Sequence, residues 1–198
     1  MWKDFVLEDG SKAVKQVDID GKTVFKKQSY VDTAFTSSLA PTSWTNVTKG
    51  TEYTASNDWG EWRITASSYY NKGWESLTVN NAFDNYIDSE WGPSIKSITD
   101  YSEIVIALPQ GVSISPKQFK MVFGYMENGS IQGYINGTWE TITSDIEYSY
   151  EYTTKTYDVS TDKFYTQFKV KSTSNKSSNY QYIYEFFIVS GTVRKAVS

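Results

Sequence analysis

The 198-residue chain contains 10 Phe, 7 Trp and 16 Tyr, whereas Ala and Leu together number only 12, and this balance favours strands over helices. It has no Cys and no His, which excludes Ser-His-Asp triads, Cys-His dyads, His-ligated zinc and iron–sulfur clusters. A formal net charge of -4 leaves no broad basic surface, so we expect no nucleic-acid partner; the apolar runs are strand-sized, so we expect no membrane insertion.

Residues 1–28 predict a small amino-terminal β meander. A two-residue Asp-Gly loop favours a type I′ turn, which would place Val17 opposite Val24 and Ile19 opposite Lys22. Three uncovered strands bury little apolar surface, so we interpret this segment as an assembly or attachment element and expect a homo-oligomer. The three apolar runs of the predicted meander lie at about 2–7, 12–19 and 22–27.

Residues 29–40 are poor in apolar periodicity and predict a linker, which places the domain boundary near residue 40. In residues 41–198, turn residues separate many short runs of β-forming residues, and Asn136-Gly137 is a strong hairpin signal. That pattern predicts an all-β domain with a β-sandwich. The predicted strands are Glu61–Ser67, Glu103–Leu108, Ser113–Tyr125, Ile131–Ile135, Thr138–Thr143, Lys155–Val159, Phe164–Lys171 and Tyr182–Val193.

Most aromatic side chains on these strands are expected in the core, and the carboxylates give no catalytic pair. Asp145, Glu147 and Glu151 have the residue types of a glycosidase, but they lie in a Tyr- and Ser-rich polar stretch where a raised pKa is not expected. We therefore predict no catalytic residues. The expected core aromatics are Trp62, Trp91, Phe119, Phe123, Trp139 and Phe168.

Several segments follow one family pattern in order and spacing. Trp62–Ser68 ends in Ala-Ser-Ser, and Ala82–Trp91 keeps the Ala, Asp, hydroxyl and Trp of the pattern Ala-x-Asp-Gly-Asn-x-x-Thr-x-Trp without its Gly and Asn. Glu103–Leu108, the hairpin Gly133–Trp139 and the closing strand Tyr184–Gly191 continue the match. Together they resemble the discoidin family, or coagulation-factor C domains, and the related family-32 carbohydrate-binding modules. The resemblance implies a galactose-binding-like jelly roll after the meander.

The same resemblance implies a structural Ca²⁺ in the acidic loop. Its side-chain ligands would be Asp84, the Ser89 hydroxyl and Glu185, with a backbone carbonyl from Ala82. Calcium takes about six to eight oxygen ligands, which such a loop can supply. The position of the family's Gly holds Asn85, a residue that tolerates positive φ. A solvated acidic loop without a metal is the alternative.

Two polar loops are candidate ligand contacts, because a sugar presents a C–H face to an aromatic ring and hydroxyls to polar groups. In the loop after the first core strand, at least one ring is expected to fold back onto the core. The resemblance implies that this loop projects from one end of the sandwich. The candidate ligand residues are Tyr69, Tyr70, Asn71, Lys72 and Trp74 in the first loop, and Asn175, Asn179 and Tyr180 in the second.

The amino-terminal hairpin is similar to short hairpins at the start of proteins on tailed-phage particles. The chain also lacks a Sec-type signal pattern at its amino terminus, so we expect a virion protein that becomes extracellular after lysis. The resulting hypothesis is a non-enzymatic virion-associated module that binds a host-surface glycan and joins other virion proteins through the meander. One alternative is a purely structural virion decoration or fibre protein. Another is the carbohydrate-binding module of a secreted hydrolase system.

Overall fold

The computed structural model describes residues 7–8, 13–14, 16–19, 22–26, 28–71, 76–93, 101–146, 152–174 and 181–197. These residues form strands, turns and one 3₁₀ turn, which confirms the all-β prediction, and no helix among them is long and apolar enough to cross a bilayer. The strands are β1 (Leu7–Glu8), β2 (Ala13–Val14), β3 (Gln16–Ile19), β4 (Lys22–Lys26), β5 (Ser29–Phe35), β6 (Thr45–Thr48), β7 (Glu52–Asn57), β8 (Gly60–Ala66), β9 (Tyr70–Asn71), β10 (Ser76–Leu77), β11 (Tyr101–Ala107), β12 (Val112–Gly124), β13 (Met126–Ile135), β14 (Thr138–Ile146), β15 (Thr153–Asp158), β16 (Gln167–Ser174) and β17 (Tyr182–Val197), and the 3₁₀ turn is Val79–Phe83.

Two sheets enclose the core. The larger has the strand order β14-β13-β16-β11-β8-β7-β6, and the smaller has the order β15-β12-β17-β5. The Phe119 ring of the smaller sheet lies 5.6 Å from the Phe168 ring of the larger sheet and stacks at 5.7 Å on Phe186 of its own sheet. All three rings are buried, so the aromatic residues of alternate strand positions fill the space between the sheets. This arrangement is the predicted β-sandwich.

The predicted core aromatics are buried, with one exception. The two largest, Trp62 and Trp91, are each 1 % exposed. Trp139 is only half-buried and lies apart from the core, with Tyr134 at 5.1 Å and the Lys169 Nζ atom 4.2 Å from its ring centroid. Strand alternation explains the error, because Trp139 pairs with Tyr134 on the outer face of the larger sheet.

The Asn-Gly hairpin forms as predicted. Asn136 and Gly137 both have positive φ, at 51° and 82°, which is the type I′ geometry, and Ile135 pairs with Thr138 across the turn. The turn therefore sets the register with which β13 and β14 begin. A β-bulge further along this pair, between Ile131 and Gln132, changes the alternation of β14.

The chain divides into two compact units, Met1–Val31 with Lys195–Ser198, and Asp32–Arg194. In the first unit β3 pairs with β4, and Ile19 lies opposite Lys22 as predicted. The predicted Val17–Val24 pair is wrong: Val17 pairs with Phe25, because a bulge after Val17 shifts the register by one residue. The predicted turn residues 20–21 lie outside the described residues.

The expected linker over residues 29–40 is in part a strand. Its first seven residues form β5, the edge strand of the smaller sheet. Tyr, Val, Thr and Phe in this stretch suit an extended backbone, although their alternation is too weak to predict one. Within the second unit, the Arg194 guanidinium donates two hydrogen bonds of 2.8 Å to the Asp32 carboxylate, the bidentate geometry that an Arg–Asp pair favours.

Candidate functional site

A short segment, Trp91–Gly92, ties the first candidate ligand loop to the sandwich. The Trp91 backbone pairs with Ile183 at the start of β17 through hydrogen bonds of 2.8 and 3.0 Å, and its indole N–H donates to the Ser68 carbonyl at 2.9 Å. The Tyr70 amide donates to the Gly92 carbonyl at 2.7 Å. The buried Trp91 therefore positions the backbone of the loop that carries Tyr70.

The described residues of this loop have different environments. Tyr69 is half-buried and its ring lies against Gly50, where an added Cβ would collide with it, so this ring folds back as expected for at least one ring of the loop. Tyr70 is 42 % exposed, and Asn71 is exposed. Tyr70 and Asn71 are thus accessible to a ligand. Lys72 and Trp74, together with Asn175, Asn179 and Tyr180 of the second loop, lie outside the described residues and stay predictions.

Four tyrosines that the sequence did not single out form an aromatic cluster beside this loop: Tyr125, Tyr152, Tyr182 and Tyr184. Tyr152 stacks on Tyr184 with ring centroids 4.5 Å apart and planes at 21°, and Tyr182 lies 6.1 Å from Tyr184 and 6.0 Å from Tyr125. A Cβ on Gly92 would lie 3.1 Å from the Tyr182 ring. The cluster therefore reaches the segment that holds Tyr70.

The backbone of the cluster is unusual at two positions. Tyr125 and Tyr152 have φ of 53° and 57°, in the left-handed region that bulky residues rarely occupy. Such a conformation costs about 1–3 kcal/mol and persists only where the surrounding structure enforces it. Tyr152 is nevertheless 51 % exposed, whereas its stacking partner Tyr184 is 1 % exposed. The strained backbone thus presents one ring to solvent on top of a buried one.

The acidic loop contains the carboxyl predicted to be its first calcium ligand. Asp84 Oδ1 accepts a hydrogen bond from the Tyr86 amide at 2.9 Å, and the Ser89 hydroxyl lies 2.8 Å from Asp84 Oδ2 and 2.9 Å from the Tyr86 carbonyl. Asn85 has a φ of 60°, which lies in the left-handed region that glycine favours and Asn tolerates. Burial raises the pKa of Asp84, although these hydrogen bonds oppose the rise.

Glu185 lies next to this loop on β17 and is 3 % exposed. Neither of its carboxylate oxygens has a hydrogen bond of good geometry. Burial, and then the nearby charge of Asp84, raise the pKa of Glu185 to about 8, although the amides of Tyr86 and Asn85 and the charge of Lys120 lower it. A divalent cation would stabilise the ionised form of a buried carboxyl that lies beside a second carboxyl.

Side chains alone do not supply enough ligands for a calcium ion at this loop. Among the described residues no group of three or more acidic, His or Cys side chains comes together, so a calcium ion at Asp84 and Glu185 would need backbone carbonyls to complete its shell. Ala82 is fully buried in the preceding 3₁₀ turn, and its carbonyl stays a predicted ligand. The Ser89 hydroxyl contacts Asp84, so it orients that carboxylate.

The sandwich has the galactose-binding-like fold of the family-32 carbohydrate-binding modules. No family model matches the chain, and no curated protein matches it. A mutant chitosan-binding module of a chitosanase/glucanase from Paenibacillus sp. IK-5 superposes with a TM-score of 0.51 at 18% identity, over 65% of this chain and 92% of the module.

Two modules from Clostridium perfringens superpose to a similar extent. The family-32 module of NanJ, solved in complex with galactose, gives a TM-score of 0.50 at 13% identity over 66% of this chain and 93% of that module. A module solved with GalNAc-β-1,3-galactose gives 0.52 at 14% identity over 66% of this chain and 94% of that module. At these identities the likeness establishes the fold.

Proposed function

We propose that this protein is a non-catalytic glycan-binding module, and that its sugar stacks on the tyrosines exposed beside the Trp91–Gly92 segment. The observation that carries the proposal is Tyr152, half of whose surface is open to solvent while its ring stacks on the buried Tyr184. A fixed, flat ring of this kind can pack against the C–H face of a sugar. Solved modules of the same fold were crystallised with galactose and with GalNAc-β-1,3-galactose, which supports the ligand class.

Polar groups next to these rings supply the hydrogen bonds that a sugar requires. Asn71 is exposed directly after Tyr70, and its side chain amide offers both a donor and an acceptor. Lys72 and Trp74 follow in the chain and stay predicted contacts. The ordered backbone of Tyr70 matters because a site that is already formed loses less entropy on binding.

Binding to an array of monosaccharides and bacterial cell-wall glycans tests the proposal. We expect Tyr152→Asn to lose binding without loss of fold, because Asn removes the ring and tolerates the left-handed backbone. Tyr70→Ala should weaken the same binding. Tyr86→Asn is the matched control, since Tyr86 is 60 % exposed in the acidic loop. A wild-type protein that binds no glycan would contradict the proposed function. A Tyr152→Asn protein that binds like the wild type would contradict the proposed site.

We propose that the acidic loop holds a structural Ca²⁺ through Asp84 and Glu185. Bound calcium would place a divalent positive charge next to the half-buried Asp84 carboxylate and the buried Glu185 carboxylate. Calcium should raise the melting temperature and chelator should lower it, with a stabilisation of about 2.7 kcal/mol at a hundredfold excess over the dissociation constant. An Asp84→Ala protein that responds to chelator like the wild type would show that the cation does not bind there.

The setting on a phage particle is a further proposal, and it rests on the amino-terminal element. In that element β3 and β4 pair as an antiparallel hairpin. A host-surface glycan would be the ligand in that setting, with other virion proteins as partners. Labelling of purified particles with an antibody against residues 41–198 tests it. A protein that is on the particle but binds no glycan would favour the purely structural alternative.

A further inference from the structure

A polar cleft of about 590 Å³ opens along the side of the sandwich. One wall is residues 140–144 of β14, the edge strand of the larger sheet. The other wall is residues 158–165, which include the end of β15, the edge strand of the smaller sheet. The cleft therefore lies between the open edges of the two sheets, and none of its lining residues belongs to the Tyr70 loop or to the aromatic cluster.

A charged pair joins the two walls. Lys163 Nζ donates to Glu140 Oε2 at 2.7 Å, and this hydrogen bond is the main cause of the raised pKa of Lys163. The lysine keeps two further N–H donors and the carboxylate keeps further acceptor positions, and both side chains are at least 36% exposed. The pair therefore offers donors and acceptors on side chains that line the cleft and hold each other in place.

Hydroxyl groups surround this pair, and a buried ring forms part of the floor. Thr141, Ser144 and Ser160 are exposed at the cleft and can each donate and accept. Tyr165 is 3 % exposed and lies against Gly133, so its position is fixed by packing. Several hydroxyls in one cleft with a paired carboxylate and ammonium provide the donors and acceptors that the hydroxyls of a sugar require.

We propose that the cleft is a second saccharide-binding site, which takes a non-acidic sugar chain. Its volume lies within the range of about 300–1,000 Å³ that is usual for small-molecule sites. The charged side chains that line it are Glu140, Asp158 and Lys163, so the cleft is acidic overall and disfavours uronic-acid or sulfated sugars. The ligand class of this second site rests on the proposed function, whereas its position rests on the cleft alone.

The two sites are too far apart for one sugar ring to contact both. Tyr152 directly precedes β15 and Asp158 ends it, and six residue steps of a strand span about 20 Å. A chain that reaches from one site to the other makes the second contact intramolecular, which raises avidity by about a hundredfold or more. Affinity should therefore rise steeply with the length of the glycan.

The test is an array of neutral, amino-sugar and uronic-acid saccharides of one to six residues. Lys163→Met removes the donor, and Ser160→Trp fills the cleft from an exposed position. Lys49→Met is the matched control, because Lys49 is exposed and does not line the cleft. We expect both cleft variants to bind single sugars like the wild type and to bind non-acidic hexasaccharides about a hundredfold more weakly, with unchanged melting temperatures.

The outcomes separate this inference from the proposed function. If Tyr152→Asn abolishes binding while both cleft variants bind every glycan like the wild type, the cleft inference is wrong and the proposed function stands. If the cleft variants lose binding that Tyr152→Asn retains, the cleft is supported and the tyrosine site is wrong. Cleft-dependent binding of uronic-acid chains alone would overturn the assignment to non-acidic sugars. A wild-type protein that binds nothing overturns both.

Discussion

Replacing Glu185 by Gln tests whether the buried carboxyl next to the acidic loop is neutral in the absence of a cation. The ordinary pKa of this carboxyl is 4.5, and burial with the charge of Asp84 raises it to about 8 in the folded protein. Between these values the folded state keeps a proton that the unfolded state has lost. The contribution of Glu185 to stability is therefore fully present below about pH 4.5 and is lost as the pH rises toward 8.

The magnitude follows from the two pKa values of Glu185. At about 1.36 kcal/mol per pH unit, the interval from 4.5 to about 8 corresponds to a loss of about 5 kcal/mol in the free energy of unfolding. Gln does not titrate, so Glu185→Gln should remove this part of the pH dependence. Glu61→Gln is the control, because it makes the same substitution at an exposed position of β8.

Urea denaturation in chelator at pH 5, 6, 7 and 8 measures these slopes for the three proteins. Added calcium should flatten the slope of the wild type, because a cation favours the ionised carboxylate, and should change Glu185→Gln little. A Glu185→Gln protein with the wild-type slope in chelator would refute the reasoning, since it would mean that the folded carboxyl ionises at its ordinary pKa. Equal stabilisation of wild type and Glu185→Gln by calcium would refute the role of Glu185 as a ligand.

Three other changes give distinct results. Gly133→Ala should destabilise the protein by about 1–3 kcal/mol in urea denaturation, because its Cβ would collide with the buried Tyr165 ring; wild-type stability would mean that the ring can move. The Gln181 amide oxygen accepts hydrogen bonds from the buried hydroxyls of Ser102, at 2.5 Å, and Ser172, at 2.7 Å. Gln181→Leu removes this acceptor and should lower the free energy of unfolding by about 1–3 kcal/mol per hydroxyl. Stability should recover when both serines are also replaced by Ala. Deletion of residues 1–28 should leave a folded β protein by circular dichroism, and an unfolded product would make the amino-terminal element an essential part of the fold.

The strands that sequence reasoning identified are those with strong local signals. Glu61–Ser67 and the Asn136-Gly137 hairpin were predicted almost to the residue, because alternating burial and turn chemistry act over a few neighbouring residues. β6 and β7 were missed. Their sequences are rich in Thr, Asn and Ser, and they are extended because β7 pairs with β8 and β6 pairs with β7 in the larger sheet.

In the candidate site, too, local sequence patterns were recognised, and features formed by distant residues were not. The acidic loop was found through its spacing, and Glu185 was reached only through the family resemblance, since it is about a hundred residues further along the chain. The aromatic cluster was missed because Tyr125, Tyr152 and Tyr182 come from three separate segments. Two of them depend on a left-handed backbone that no local residue pattern predicts.

The Trp91–Gly92 segment connects the proposed cation site to the proposed sugar site. It follows the acidic loop directly, pairs with the strand that carries Glu185, and accepts the hydrogen bond that fixes Tyr70. A cation that changes the position of this segment changes the affinity for a sugar at Tyr70, and the sugar must then change the affinity for the cation by the same factor. Titrating calcium with and without a saturating glycan therefore measures the coupling free energy from either side, and the two values must agree.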